Sequence, residues 1–600
     1  MSIFTFFQHK SLKKKIVLNL SRIRKRKNVV FVLIIFLSIK ILTGLAVAQD
    51  TPLYSDKDIF HPVQSRMGMV ASQERHATEA GLQVLKEGGN AIDAAVTVGF
   101  TLAVTLPRAG NIGGGGFMLV HLAKPNETFA IDYREKAPKA AFRDMFLDEQ
   151  GNYNPEKSQY SYLAVGVPGT VAGLTMALEK YGTISLQRAL KPAIELAEKG
   201  FQISEDLQKA LALAQPRMKA SPASMEIFYK PGGVPYPTGE LLVQNDLAKS
   251  LRLIAQEGPA AFYKGAIADA IVADMKAHGG LITKEDLADY KPVKREAVHG
   301  TYRGYDIYSM PLPSSGGIHL IQILNLLEAY PIALWGHNTA QTIHYMAESM
   351  KLAYADRSKF LGDSDFVPVP VSGLVSKRYA TDLRRKINPN HATPSQKILP
   401  GNPNQYAESI DTTHYSVIDK YGNAVANTYT LNLEFGTKLT VAGTGILLNN
   451  EMDDFSSKPG TPNAFGLIGG EFNAIAPEKR MLSSMTPTIV MKQGNPFLVT
   501  GSPGGSTIIT STLQIIMNVI DHGMNIAAAT NAVRVHHQWL PDELRVEQGL
   551  NEDTIRLLTE KGHKVVVRDA IGSTQSIMRT NNILSGASDP RRPGALTSGY

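Results

Sequence analysis

The chain has 600 residues, 43% hydrophobic and 19% charged, with 51 Gly and 33 Pro, proportions that exclude collagen-like and disordered classes and suffice for a large core. Cysteine is absent, which excludes disulfides, thiolate metal sites and a Cys nucleophile. The formal charge is +8, but ten of the 62 Lys and Arg and none of the 54 Asp and Glu fall within residues 1–48, so the rest of the chain is close to neutral and nothing calls for a nucleic-acid surface.

Those first residues read as an export signal. A basic lead runs into the apolar stretch Val29–Ile39, and Ala46-Val47-Ala48 supplies the small residues that signal peptidase requires. Cleavage after Ala48 is expected, giving a periplasmic or secreted protein. Residues 29–48 are also long enough to span a bilayer, so an uncleaved membrane anchor is the alternative.

From Glu74 the apolar spacing predicts two helices, the first stopped at Gly88-Gly89-Asn90 and the second ended by Pro107. GGGGFMLVHLA and TFAIDYREK then predict paired strands joined at Lys124-Pro125-Asn126. Helical periodicity dominates residues 160–300, and a further helix is expected near Thr342–Tyr354. Between Gly373 and Ser409, Pro, Asn, Gln and Ser accumulate without an apolar period, which predicts a surface loop or linker. Strands resume with THYSVID and AVANTYTLN, and again with TPTIVMK and PFLVTGS; a Gly-rich turn and a helix over Thr507–Ile520 follow. Runs of strands with helices before and after suggest sheets packed between helical layers.

Two places carry chemistry. Asp411-Thr412-Thr413-His414 stands where the linker meets a strand. By itself it reads most simply as a polar strand start. If the bond before Thr412 were cut, however, the freed α-amine, with a reference pKa of about 7.7–8.0, would lie beside a hydroxyl that needs a base to become a nucleophile. Gly501-Ser502-Pro503-Gly504-Gly505-Ser506 joins a strand to a helix. It is either a tight turn or a set of backbone donors for an anion; it lacks the Walker pattern, and an oxyanion suits acyl transfer. Weaker features have plainer readings: Gly113–Gly116 as close packing rather than a phosphate loop, His536-His537 as unsuited by spacing to a shared metal, and Asp453-Asp454 as a helix cap.

Taken in order, LPRAGNIGGGGFM, DYRE, DTTHYSV, TYTLN, LLNNEMDDFS, LSSMTPTIV, TGSPGGS, HHQWLPDELRVE, GSTQSI and GASDPR resemble the gamma-glutamyltranspeptidases, from about residue 67 to the C-terminus. The resemblance implies an α+β, four-layer αββα sandwich of two stacked antiparallel sheets, the N-terminal nucleophile hydrolase fold. It implies autocleavage between Asp411 and Thr412, leaving a large subunit (49–411) and a small one (412–600) associated as a heterodimer. Thr412 resembles the nucleophile, Thr430 its hydroxyl partner, and Gly504 and Gly505 the oxyanion hole. Arg134, aided by Ser483 and Ser484, would hold the substrate's α-carboxylate; Asn432, Glu451 and Asp454 would hold its α-ammonium. No metal or organic cofactor is implied. Donors would be glutathione and other gamma-glutamyl compounds, and acceptors water, amino acids or dipeptides. Where bacterial members with a lid often place a Tyr over the site, this chain has Phe465. A glutaryl-type acylase of the same fold is the nearest alternative, and a catalytically inactive exported binding protein a more distant one.

Overall fold

The computed structural model describes residues 59–403 and 415–600. The expected export signal and the Asp411–Thr412 bond lie outside the described residues. Two seven-stranded sheets form the centre. Their strands before residue 404 are β1 (Val63–Ser65), β2 (Met69–Ser72), β3 (Gly115–Leu122), β4 (Glu127–Tyr133), β5 (Val293–Glu296), β6 (Val298–Tyr302) and β7 (Tyr305–Ser309). Those after residue 414 are β8 (Ser416–Ile418), β9 (Ala424–Thr430), β10 (Thr488–Lys492), β11 (Asn495–Thr500), β12 (Gln575–Thr580), β13 (Ile583–Ser588) and β14 (Leu596–Gly599).

One sheet runs β14-β2-β8-β9-β3-β4-β5, the other β1-β13-β12-β11-β10-β7-β6. Every pairing within them is antiparallel. At the middle of the first sheet, β9 lies against β3 with Asn427 opposite Met118 and Thr430 opposite Gly115.

The side-chain alternation of the strands explains the four layers. Along β3, Phe117 and Leu119 point into a cluster between the sheets with Met69, Ile418, Ile489 and Val499. Their neighbours Met118 and Val120 point the other way, into the core beneath helices α1 (Arg75–Lys86), α2 (Ala91–Thr105) and α3 (Thr170–Tyr181). In β10, Ile489 faces the first sheet while Val490 faces α4 (Gly316–Leu327), α5 (Ala340–Phe360) and α6 (Thr507–Ile520). Antiparallel strands usually alternate apolar with polar; here both faces are covered, so FMLV and TIVM read as continuous apolar runs. The expected αββα sandwich is the architecture found.

The start of α2 shows how local chemistry sets these elements. Asn90 accepts from the backbone N–H groups of Ile92 and Asp93, and Asp93 accepts in return from the Asn90 N–H, a reciprocal cap that satisfies otherwise orphaned donors. All fifteen residues of α2 are buried.

Two expectations from periodicity need correction. The helical stretch assigned to 160–300 ends in strand: β5 and β6 begin at Val293 and Val298, their half-exposed edge position leaving little apolar signal. The segment beginning at Gly373 is not all linker, because Lys377–Arg384 is a helix. Ser376 caps it, and Tyr379, Ala380 and Leu383 are buried on one face. Its five charged or polar positions on the other face obscured the period. Residues 386–402 carry only a single 3-10 turn, Ser395–Lys397.

Candidate active site

A cavity of about 300 Å³ opens at one end of the sandwich. Its wall includes Arg134, Thr430, Asn432, Glu451, Asp454, Ser483, Ser484, Gly504 and Gly505. All the described residues to which the resemblance assigns a catalytic or substrate-binding role therefore converge on one space. Asp411 and Thr412 are outside the described residues, but Tyr415, three residues after Thr412, lines the same cavity.

Each group is placed by the end of a secondary element. Arg134 follows β4 directly, and its backbone N–H donates to Asp132 Oδ1 at 2.9 Å. Glu451 and Asp454 share a 3-10 turn. Thr430 ends β9, and its hydroxyl oxygen accepts from the Asn432 N–H at 2.8 Å, with Asn432 in the left-handed region at φ 76°. The glycines Gly113–Gly116, which lead into and begin β3, serve close packing: a Cβ on Gly114 would lie 2.1 Å from the Thr430 carbonyl oxygen, so no side chain fits where the two segments touch.

Arg134 is fully buried, and its guanidinium lies between two carboxylates. Nη1 is 2.6 Å from Glu451 Oε2, and Nη2 donates to Asp454 Oδ2 at 2.6 Å. A third carboxylate, Glu135, stands 3.7 Å from Nη1. The resemblance assigns Arg134 to a substrate's α-carboxylate and the two acids to its α-ammonium, and here these groups touch. An α-amino acid carries its ammonium and carboxylate on the same carbon, so a site for that head group needs a cation and anions side by side.

Around this point acids outnumber bases. Burial pushes the Glu135 carboxyl up to about 8 and raises Glu451 and Asp454 as well, against the opposing pull of Arg134. Apart from their contacts with Arg134, the side-chain oxygens of Glu135 and Glu451 have no hydrogen-bond partner among the described residues. Such a site gains from an incoming ammonium, which neutralises charge that burial otherwise penalises. A stability consequence follows from the sign of the shift. Between about pH 4.5 and 8 the unfolded chain has lost the Glu135 proton while the folded chain keeps it; stability from this group therefore falls as pH rises through that window. Thermal melts of the empty protein at pH 5, 6, 7 and 8 should show a declining Tm, with a shallower decline in Glu135→Gln.

Ser483 and Ser484 form another part of the wall, and they rest on Arg357, a residue that motif reading did not single out. Arg357 is buried in α5; Nε donates to Ser315 Oγ at 3.0 Å and Nη2 to Ser484 Oγ at 3.3 Å. The Ser315 hydroxyl in turn donates to the Ser483 carbonyl at 2.8 Å. No carboxylate among the described residues pairs with Arg357. Glu135 and Arg357 are charged groups beside the head-group cluster that the motifs left without a role; a charged residue inside an otherwise buried helix, as in YADR, was the available signal for the second.

Gly504 and Gly505 sit just before α6 with φ of 134° and 56°. Their backbone N–H groups donate to no described residue, so two amides at a helix N-terminus remain for a ligand oxygen. The Phe465 ring lies over Gly505, where a Cβ would come within 2.4 Å of it. Asn463, at the base of the same turn, donates to Asp454 Oδ1 at 2.9 Å, and Gln538 donates to the Gly466 carbonyl at 3.1 Å. The cover over the cavity is thus tied down without a tyrosine hydroxyl.

The remaining features are structural. His536 meets Thr510 and Gln538, whereas His537 meets Asp542, so the adjacent rings turn to separate partners. Asp453 accepts from Tyr153, Ser158 and the Ala464 N–H, holding the turn that carries Asp454.

Known proteins resemble this chain over most of its length. Residues 77–599 match the family described as Gamma-glutamyltranspeptidase. The chain is 55% identical over 546 residues to the glutathione hydrolase proenzyme of Escherichia coli, covering 91% of this chain and 94% of that one. It is similar to the crystal structure of Helicobacter pylori gamma-glutamyltranspeptidase, with 51% identity and a TM-score of 0.55 over 56% of this chain and 96% of that one. It also resembles the cephalosporin acylase from Bacillus halodurans, at 29% identity and a TM-score of 0.81 over 92% and 99% of the two chains. A family match across most of the length, joined to high identity over nearly whole relatives, leads to one conclusion: this chain belongs to the gamma-glutamyltranspeptidase family.

Proposed function

We propose that this protein is exported, cuts itself between Asp411 and Thr412, and transfers gamma-glutamyl groups from glutathione and related compounds to water or to amino-acid and dipeptide amines. The observation that carries the transfer reading is the juxtaposition, in one cavity, of the Arg134–Glu451–Asp454 cluster with the two unengaged amides of Gly504 and Gly505. The first recognises a free amino-acid head; the second accepts the oxyanion of an attacked carbonyl.

Thr412 is the nucleophile in this reading. It lies three residues before Tyr415, which lines the cavity. Its α-amine, released by cleavage, takes the hydroxyl proton as the oxygen attacks the γ-carbonyl, and the Thr430 hydroxyl assists. The C–N bond breaks, the proton goes to the leaving amine, and a γ-glutamyl ester remains. Water or an incoming amine then attacks that ester and returns Thr412. Every group required is protein, and no cofactor enters the scheme.

Two comparisons support a processed precursor. The Escherichia coli relative is called a proenzyme. The Helicobacter pylori chain is matched over 96% of its own length yet covers only 56% of this one, the relation expected of a separate large subunit. Against the acylase reading stands the excess of buried carboxyls around Arg134, which favours a substrate bearing an ammonium over a glutaryl group without one.

Intact mass of the purified protein tests processing and export together. Two chains are expected, the smaller beginning at Thr412 and the larger near Gln49, whereas Thr412→Ala should remain one chain. A single uncut mass from active wild type would sink the mechanism, and retention of Lys13 in a membrane fraction would replace signal cleavage by anchoring.

A further inference from the structure

The cavity has a second charged region that recognition of the γ-glutamyl head does not use. Beside the apolar side chains of Leu102, Leu106 and Leu433, its wall includes Arg108, Glu434 and Arg592. These form an ionic group of their own with Asp206, sharing no ion pair with the Arg134 cluster.

The two arginines differ in how they are held. Arg108 is 5% exposed and lies 2.6 Å from Asp206, which fixes it. Arg592 is 37% exposed, and its nearest carboxylates, Asp206 and Glu434, stand at 3.6 and 3.7 Å. Its guanidinium donates no hydrogen bond to a described residue. A planar fork of donors is therefore available on the wall of the reaction cavity.

The reaction itself says what should occupy it. The amine that leaves in the first step and the amine that attacks in the second approach the same carbonyl along the same path, by microscopic reversibility. When the donor is glutathione, the leaving dipeptide ends in a carboxylate, and so does every free amino acid or short peptide that accepts the acyl group. We propose that Arg592 forms the carboxylate seat of the acceptor subsite, selecting amines that carry a free terminal carboxylate. This rests on the transfer reading above. In the step it serves, the acceptor nitrogen forms a C–N bond to the ester carbonyl, the C–O bond to Thr412 breaks, and the amine proton passes to the Thr412 oxygen.

Glu434, 49% exposed, competes for the same guanidinium. The seat therefore makes two predictions of opposite sign. With γ-glutamyl-p-nitroanilide as donor, Arg592→Gln should raise KM for glycylglycine about fivefold to twentyfold, the range for one partly exposed charge-assisted contact, and leave KM for glycylglycinamide within about twofold. Glu434→Gln should lower KM for glycylglycine and leave the amide unchanged. The readout is the ratio of the two acceptor KM values in each protein, which cancels any general loss of turnover. A ratio unchanged in both variants would overturn the seat alone, since the donor reaction would still stand. Wild type unable to transfer to either acceptor would overturn the transfer reading on which the seat depends.

Discussion

Gly505→Ala is expected to lower kcat for γ-glutamyl-p-nitroanilide by about a hundredfold or more while changing KM little. Gly505 holds φ at 56°, in the left-handed region, and a Cβ there would meet the Phe465 ring at 2.4 Å. Alanine must therefore either rotate the 504–505 peptide or push the ring away. The first outcome turns an amide from the oxyanion, and loss of one such donor typically costs on the order of 10²–10³ in turnover. The second disturbs only the cover. Phe465→Ala combined with Gly505→Ala separates them, because removing the ring relieves the contact without restoring the peptide. Full recovery of kcat in the double variant would make Gly505 a packing residue and deny it the oxyanion role.

The second large effect concerns the substrate head. Wild type should prefer a γ-glutamyl anilide to the matching glutaryl anilide by ~10⁴ or more in kcat/KM, as sites built around a polar group can. Only the first compound brings an ammonium to a cavity where Glu135, Glu451 and Asp454 surround Arg134. Asp454→Asn should narrow that preference sharply. Both oxygens of Asp454 are engaged, one by Arg134 and the other by Asn463, and an amide offers a single acceptor. The substitution thus loses a charge and also one of these two ties, so a modest fall with the glutaryl compound is expected too. Arg134→Lys should weaken both substrates, because each retains the carboxylate and lysine has no fork to hold it. Equal turnover of the two anilides by wild type would replace the transferase reading with the acylase one.

Much of the fold was legible because its punctuation is local. Asn90, Pro107 and the turn before Thr507 mark boundaries through their own backbone chemistry, and α1, α2 and α6 fall where those residues put them. The sheet edges were not legible. β14 pairs with β2 across more than 500 residues of chain, and nothing near Leu596 announces that partner. The site divides in the same way. Residue types pointed to a head-group pocket, but contact between Arg134 and Asp454, 320 residues apart, is a property of the folded chain. Sequence alone therefore kept cation and anions as separate assignments, and it passed over Glu135 and Arg357, whose importance comes from burial.

The order of strands in the first sheet has one more implication. Reading across β14-β2-β8-β9-β3-β4-β5, the strands come from after, before, after, after, before, before and before the proposed cut. The two fragments are woven through a common core rather than apposed across a surface. An uncut chain assembles that weave as an intramolecular search, with each closure paid only in loop entropy. Two separated fragments would face a second-order encounter in which each exposes the half-sheets the other should cover, a state inclined to aggregate. Self-cleavage is then a one-way event in the life of the molecule: it arms the nucleophile and also discards the covalent connection through which the architecture was first attained.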